Sequence, residues 1–283
     1  MTPRLPAVVF LVAISGCAAD DAGPPPIAVV PGKLGRIAVN TTSMFAIDTT
    51  DNSLVELGLD GSMIGKLPTA GAVSDVSAAG DLVAWIEAEG SNKHVKRRKA
   101  GVVDTLPTFA PHIVTTVDGV FYSDAGLIGS WSDAVPTRIA TPAAGAALIG
   151  IDATYAYTVE TGMAVARYDL RMGTSEVVLP SSMSATVSAG ILAYRTADGV
   201  RIHDLFTKFD AVIGTPPADY TCELLIAGNA VLCGKYRELN GASDELLSDP
   251  VTGYTAVGRD VYWATQNGSK SEIRMIDAET KLK

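Results

Sequence analysis

From Ile27 onward the chain alternates short apolar runs with clusters of Gly, Asp and Asn, and within the runs apolar residues recur with a period of two rather than 3.6. One stretch shows the pattern: Gly258-Arg259-Asp260-Val261-Tyr262-Trp263-Ala264, followed by Glu272-Ile273-Arg274-Met275-Ile276-Asp277. A turn gives way to an alternating strand that ends on a large ring or a small apolar anchor. Earlier copies read Asp81-Leu82-Val83-Ala84-Trp85, Asp118-Gly119-Val120-Phe121-Tyr122 and Gly190-Ile191-Leu192-Ala193-Tyr194, and weaker copies end on Ala46, Tyr157 and Cys233. Asp-Gly and related pairs accept the positive φ of tight β-turns, so each turn predicts a hairpin. No helical period of useful length follows residue 17.

The anchors Ala46, Trp85, Tyr122, Tyr157, Tyr194, Cys233 and Trp263 are separated by 39, 37, 35, 37, 39 and 30 residues, the period of arrays and propellers. Third strands begin at Val55, Val95, Ile128, Val165, Val200 and Ile273. Short fourth strands follow at 63–67, 102–106, 176–179 and 211–213, and Pro-containing connectors separate the units. Seven units of four strands predict an all-β fold, a seven-bladed β-propeller with four-stranded antiparallel blades. Unit seven ends after its third strand, whereas Ile27-Ala28-Val29-Val30 is a spare β-branched run. The N-terminal strand is therefore expected to close the last blade by pairing with residues 273–277, which removes an exposed edge.

Residues 1–16 have the form of a signal peptide. Arg4 supplies the positive start, and the apolar run 5–14 falls short of the roughly 20 residues a helix needs to span a bilayer. Ile14-Ser15-Gly16-Cys17 resembles the lipobox of bacterial lipoproteins, which implies cleavage before Cys17 and lipidation of that cysteine. Ala18 behind it implies outer-membrane sorting, by similarity to enteric lipoproteins. An ordinary secretory cleavage near Ala18 or Ala19 is the alternative. The organisation read from the chain is a signal peptide at 1–16, a flexible tether at 17–26 and the propeller at 27–283. Its expected place is the cell envelope, as an outer-membrane lipoprotein facing the periplasm or the cell surface.

Three short runs, Tyr262-Trp263-Ala264-Thr265, Phe121-Tyr122-Ser123-Asp124 and Ala84-Trp85-Ile86-Glu87, resemble the YWTD repeat of low-density-lipoprotein-receptor-type propellers. Those receptors have six blades and a longer period, so the resemblance carries over blade chemistry and not receptor function. It implies that some carboxylates just after the anchors tie neighbouring blades together.

The formal net charge of −9 argues against a nucleic-acid partner, because such a field repels phosphate backbones. His94, His112 and His203 sit at no ligand spacing, no catalytic elbow or phosphate loop is present, and no metal or cofactor is implied. Asp and Asn within 48–52 read as turn caps rather than calcium ligands. Ionisable residues recur after the anchors at Asp48, Glu87, Asp124, Glu160, Asp198 and, in the sixth unit, Lys235. They form either a candidate binding face or a set of structural ties. The basic run 93–99 reads as a solvated outer strand or a contact for anionic lipid. Cys222 and Cys233 flank a predicted turn. They form a disulfide if the register places them on one face of the sheet, and otherwise are two buried thiols.

Three functions remain open at this level. One is a lipid-anchored binding or scaffolding protein with a protein or small-molecule partner at one propeller face. Another is a propeller enzyme, a hydrolase or lyase acting on a sugar or lactone in the central funnel. The third is a structural subunit of an envelope complex. Catalysis would need ionisable groups converging on the axis.

Overall fold

The computed structural model describes residues 24–280 apart from 107, 109, 125, 133–135, 144, 218–221 and 248–249. Residues 1–23, with the lipobox and Cys17, lie outside the described residues.

Among the described residues the chain forms seven separate four-stranded antiparallel sheets and no helix, which is the seven-bladed propeller the period predicts. First strands, nearest the axis, are Leu34–Val39, Ala72–Ala79, His112–Thr116, Ala147–Ile151, Ser184–Ser188, Leu224–Ala227 and Val251–Val257. Second strands are Ser43–Asp48, Leu82–Glu89, Gly119–Asp124, Tyr155–Val159, Ile191–Thr196, Ala230–Cys233 and Asp260–Asn267. The lower face carries the turns between first and second strands and between third and fourth strands. The upper face carries the turns between second and third strands and the connectors from blade to blade. In blades 2, 6 and 7 the first turn is the same two-residue form, with Gly80, Gly228 and Gly258 at φ 60°, 59° and 61°. Side chains are strained at that φ, which is why glycine recurs there.

The core consists of the slots between blades. Alternation on each strand sends one set of side chains to the preceding blade and the other to the following blade. Trp85 thus packs with Phe45 and Ile47 of blade 1, while Ala84 and Ile86 pack with Ile113, Val120 and Tyr122 of blade 3. Six of the seven anchors face the preceding blade. In blade 4 the structure corrects the ruler. Tyr157 faces blade 5, packed with Leu192 and Tyr194, and the position equivalent to the other anchors is the fully buried Thr158. A slip of one residue exchanges the faces of a strand, and the large ring at 157 disguised it. With Thr158 as anchor, the spacings to Tyr122 and Tyr194 become 36 and 36.

Blade 6 shows what alternation cannot reveal. Its third strand, Tyr236–Leu239, and fourth strand, Ala242–Glu245, have little apolar signal. They pair because Asn240 (φ 54°) and Gly241 (φ 84°) close a two-residue turn between Leu239 and Ala242.

Closure of the ring joins its two ends. Ala28–Pro31 forms the fourth strand of blade 7, with Ala28 opposite Ile273 and Pro31 opposite Lys270. The partner is thus the first half of Lys270–Asp277 rather than 273–277. Ala28 and Val30 enter the slot shared by blades 7 and 1, beside Met44, Ala46 and Ala264, and Val29 and Pro31 point out. Fully buried Ser271 locks the seam: its hydroxyl accepts from Leu34 N (2.8 Å) and donates to Gly32 O (3.1 Å).

Candidate functional site

The upper face holds the sequence-predicted residues, one on each of blades 1 to 6, so the ring distributes them instead of gathering them. Five stand two residues beyond their anchor, four of them carboxylates. Glu87 is 0 % exposed and accepts from Gly71 N (2.8 Å), Trp85 Nε1 (3.0 Å), Lys96 Nζ (3.1 Å) and Ala70 N. Burial pushes its carboxyl up, but the bonds from Trp85, Lys96 and Ala70 outweigh burial and leave it below the ordinary carboxylate value. Because residues 70 and 71 belong to the connector arriving from blade 1, this carboxylate ties blade to blade. Asp124 accepts from Thr108 Oγ1 (3.1 Å) of the next connector, and buried Asp48 lies against Gly32 and caps Thr50 N (3.0 Å). Glu160 accepts from Thr158 Oγ1 (2.6 Å) and Tyr168 OH (2.8 Å). Asp198 sits four residues beyond Tyr194, exposed in a turn whose Asp198 N donates to Thr196 Oγ1 (3.3 Å); Thr196 is the blade 5 equivalent of Glu87. Lys235 reaches outward to Glu245 (3.0 Å). In the 48–52 turn, Asp51 caps Ser53 N (3.0 Å) and pairs with Lys66 (2.6 Å).

The basic run 93–99 is neither an outer strand nor an open cationic surface. Val102–Leu106 covers it as the fourth strand of blade 2, and three of its cations, Lys96, Arg97 and Arg98, turn inward to carboxylates and carbonyls, while Lys99 is exposed. Lys96 serves Glu87. Arg98 forms two bonds to Glu56 of blade 1 (2.7 and 2.5 Å), and Arg97, nearly buried, donates to Trp131 O (2.8 Å) and Ser132 O (2.9 Å) of blade 3. Blade 6 repeats this device: Arg237 donates to Ala278 O (2.8 Å) and Thr280 O (2.6 Å) of blade 7. In both blades the arginine faces an aspartate on the fourth strand, Asp104 or Asp244.

Cys222 and Cys233 are joined as a disulfide, with Cα atoms 5.1 Å apart. Cys233 is opposite Leu224 across the turn Gly228-Asn229, so Cys222 lies two residues beyond that pair and on the same face.

Chemistry absent from the sequence reading gathers at the axis. A cavity of about 570 Å³ runs along the first strands of blades 6, 7, 1 and 2. Its walls are mostly small or apolar, among them Ala38, Val76, Ala78, Leu224 and Ala256. At its upper mouth Arg36 pairs with Asp75 (2.8 Å) and reaches Glu223 (3.5 Å), linking blades 2, 1 and 6. Tyr254 lines the same mouth; its hydroxyl donates to Glu223 O and accepts from Gly234 N (3.2 Å). Burial raises the Asp75 carboxyl above the usual range, against the opposing pull of Arg36, the bond from Val76 N and a contribution from His112. The volume suits a small molecule or one peptide segment. The arrangement offers a charge-paired polar cap over an apolar bore, and Arg36 with Asp75 places two ionisable groups within hydrogen-bond reach at the axis. A signal existed in the sequence: Arg36, Asp75, His112 and Glu223 each interrupt the small or apolar pattern near the start of a first strand. Among the described residues, no three His, Cys, Asp or Glu side chains form a group that could hold a metal ion.

No protein-family model and no curated protein matches the chain. Solved structures similar to it include PorZ of Porphyromonas gingivalis, described as a bacterial surface component of the type-IX secretion system, at 12% identity and TM-score 0.62 over 83% of this chain. The chain spans 36% of the length of PorZ. Virginiamycin B lyase from Staphylococcus aureus is similar at 14% identity and TM-score 0.65, covering 86% of this chain and 95% of the lyase. BamB from Moraxella catarrhalis is similar at 14% identity and TM-score 0.56, covering 87% and 90%. At such identities the likeness shows the fold alone, and that fold is the β-propeller.

Proposed function

We propose that this chain is a lipid-anchored envelope protein that binds or scaffolds a partner through the upper mouth of its central channel. The observation that carries the reading is the 570 Å³ bore capped by Arg36 and Glu223, with buried Asp75 holding Arg36 from behind. Cys17 would carry the lipid and hold the propeller at the outer membrane. The similarity in fold to PorZ, described as a bacterial surface component, is compatible with that place. Exposed Asp198 would extend the binding face, while Glu87 acts from within it as a brace. A photo-crosslinking residue at Thr252, on the cavity wall, tests the reading in intact envelopes. The expected result is one partner captured by the parent and lost with Arg36→Ala at unchanged melting temperature. Capture unaffected by Arg36→Ala would show the mouth is not the site. Mass of the N-terminal peptide reports Cys17 acylation separately.

A second reading, a lyase or hydrolase acting on a sugar or lactone, draws on the pairing of Arg36 with the raised carboxyl of Asp75. A substrate turned over by the parent and not by Asp75→Asn would select it.

A further inference from the structure

The lower face of blades 4 and 5 carries two turns of one design. In each, an aspartate accepts two backbone N–H groups: Asp169 from Arg171 N and Met172 N (both 2.8 Å), Asp204 from Phe206 N (2.8 Å) and Thr207 N (3.0 Å). Each closes through a residue at positive φ, Gly173 (67°) or Lys208 (64°), whose N–H donates to the aspartate's own carbonyl (2.9 Å in both). These bonds hold the tips rigid, and the tips are apolar. Met172 is 75 %, Phe206 80 % and Phe209 60 % exposed, with Val177 at 64 % on the adjoining outer strand. The Phe206 ring lies over Gly190, where a side chain would collide with it.

The carboxylates of this sector keep their negative charge but all have partners, Glu176 pairing with Arg167 and Asp210 with Arg201. Asp169 and Asp204 are bound to their own turns, and Asp152 of the neighbouring turn accepts from Thr154 N (2.7 Å), Tyr155 N (2.8 Å) and Tyr157 OH (2.6 Å). Arg171 and Lys208 are exposed between the apolar tips. Rings and a methionine that can enter the acyl boundary, interleaved with cations at phosphate level, match the surface of a bilayer rather than that of a soluble ligand.

The course of the N-terminal chain points the same way. Ile27 O lies against Gly61, in the third turn of blade 1, and Arg274 Nη1 donates to Pro24 O (2.5 Å). The chain therefore reaches blade 7 along the lower face. Six residues lie between Cys17 and Pro24, a reach of about 25 Å when extended.

We infer that the lower face of blades 4 and 5 is a second membrane contact, in which Met172, Phe206 and Phe209 insert into anionic phospholipid with Arg171 and Lys208 at the headgroups. It stands across the ring from the seam where the tether enters, so the two contacts together would lay the lower face on the bilayer and leave the channel mouth facing away. The orientation, though not the contact itself, rests on the lipid anchor proposed above.

The test uses residues 18–283, which retain every strand of the closed ring and carry no lipid, with vesicles of phosphatidylethanolamine and phosphatidylglycerol. The expected result is co-sedimentation that falls by about tenfold or more with Met172→Ser, Phe206→Ser and Phe209→Ser combined, at unchanged melting temperature. A further, salt-sensitive loss is expected with Arg171→Ser and Lys208→Ser. Parent protein remaining in the supernatant, or a triple variant sedimenting like the parent, overturns the inference. So would photo-crosslinks from position 206 going to a protein in envelopes while vesicle binding is absent. Failure of the anchor reading looks different: Cys17 unacylated with vesicle binding intact.

Discussion

Blades 2 and 7 begin from the same residue and solve its polar end differently. Trp85 and Trp263 occupy equivalent positions, both 0 % exposed, each opposite a cation on the third strand, Lys96 or Arg274. Two residues on, blade 2 has Glu87 and blade 7 has Thr265. Glu87 accepts the Trp85 indole N–H together with three other donors, whereas Trp263 Nε1 is buried with no hydrogen-bond partner. The same division runs round the ring. Blades 1 to 4 place a carboxylate at this position; blades 5 to 7 have Thr196, Lys235 and Thr265. Two of the three without the carboxylate are held in other ways, blade 6 by Cys222 and Cys233 and blade 7 by the N-terminal strand. A repeat thus conserves the need to anchor the upper end of each slot, and not one means of doing it.

The largest effect separating the two means should come from removing Ala28–Pro31. That deletion empties the blade 7 slot of Ala28 and Val30 and opens the ring. It is expected to cost about 4 kcal/mol or more, while an equal deletion within 18–23 costs little. Thermal melts that coincide for the two deletions would contradict closure by this strand.

Next in size is Glu87→Ala, at about 3–5 kcal/mol, since Lys96 and three N–H groups lose their acceptor together. Its counterpart Thr265→Ala should change stability by about 1 kcal/mol or less. Urea titration reads both, and equal costs would break the comparison. The pH dependence follows from the depressed carboxyl of Glu87. Its contribution is complete above the ordinary value of 4.5 and is lost as pH falls through the lower folded value. Glu87→Gln should therefore be less sensitive than the parent to acidification below about pH 4.5.

Reduction of Cys222 and Cys233, or Cys222→Ser with Cys233→Ser, should lower stability by about 2–3 kcal/mol for a loop of this length. Native-state proteolysis should then cut first in blade 6. A first cut in blade 2 would mean that the disulfide is not what secures blade 6.

The smallest effect is the most discriminating. Trp85→Phe and Trp263→Phe remove similar volume, but only the first deprives a buried carboxylate of a donor. Trp85→Phe should cost about 1 kcal/mol more. Paired denaturant curves with indistinguishable midpoints would show that the indole bond in blade 2 is worth no more than its absence in blade 7.

Much of the architecture was legible because strand alternation and turn chemistry are local. Gly80-Asp81, Gly228-Asn229 and Gly258-Arg259 mark hairpins by backbone sterics alone, and the period of the anchors counts seven units. The spare run at 27–30 marked the closing strand, although its register against Lys270–Ile273 follows from the burial of Ala28 and Val30 in the slot and from Ser271 at the seam. Two local cues misled. A ring at Tyr157 drew the ruler one residue off Thr158, and the density of charge in 93–99 suggested an open surface where Arg97 and Arg98 face partners in adjoining blades and Lys96 faces Glu87 of its own blade.

The candidate site was less legible because its members are neighbours only across the ring. Arg36, Asp75 and Glu223 lie far apart in the chain and meet because first strands of different blades converge on the axis. The amino-acid sequence by itself determined the strands, their turns and the number of blades, each a matter of contacts within about ten residues. Only the tertiary structure decided which carboxylates became buried braces, which cations became latches and which charges meet at the channel mouth. Burial and the distance between charges on different blades do not exist until the ring has closed.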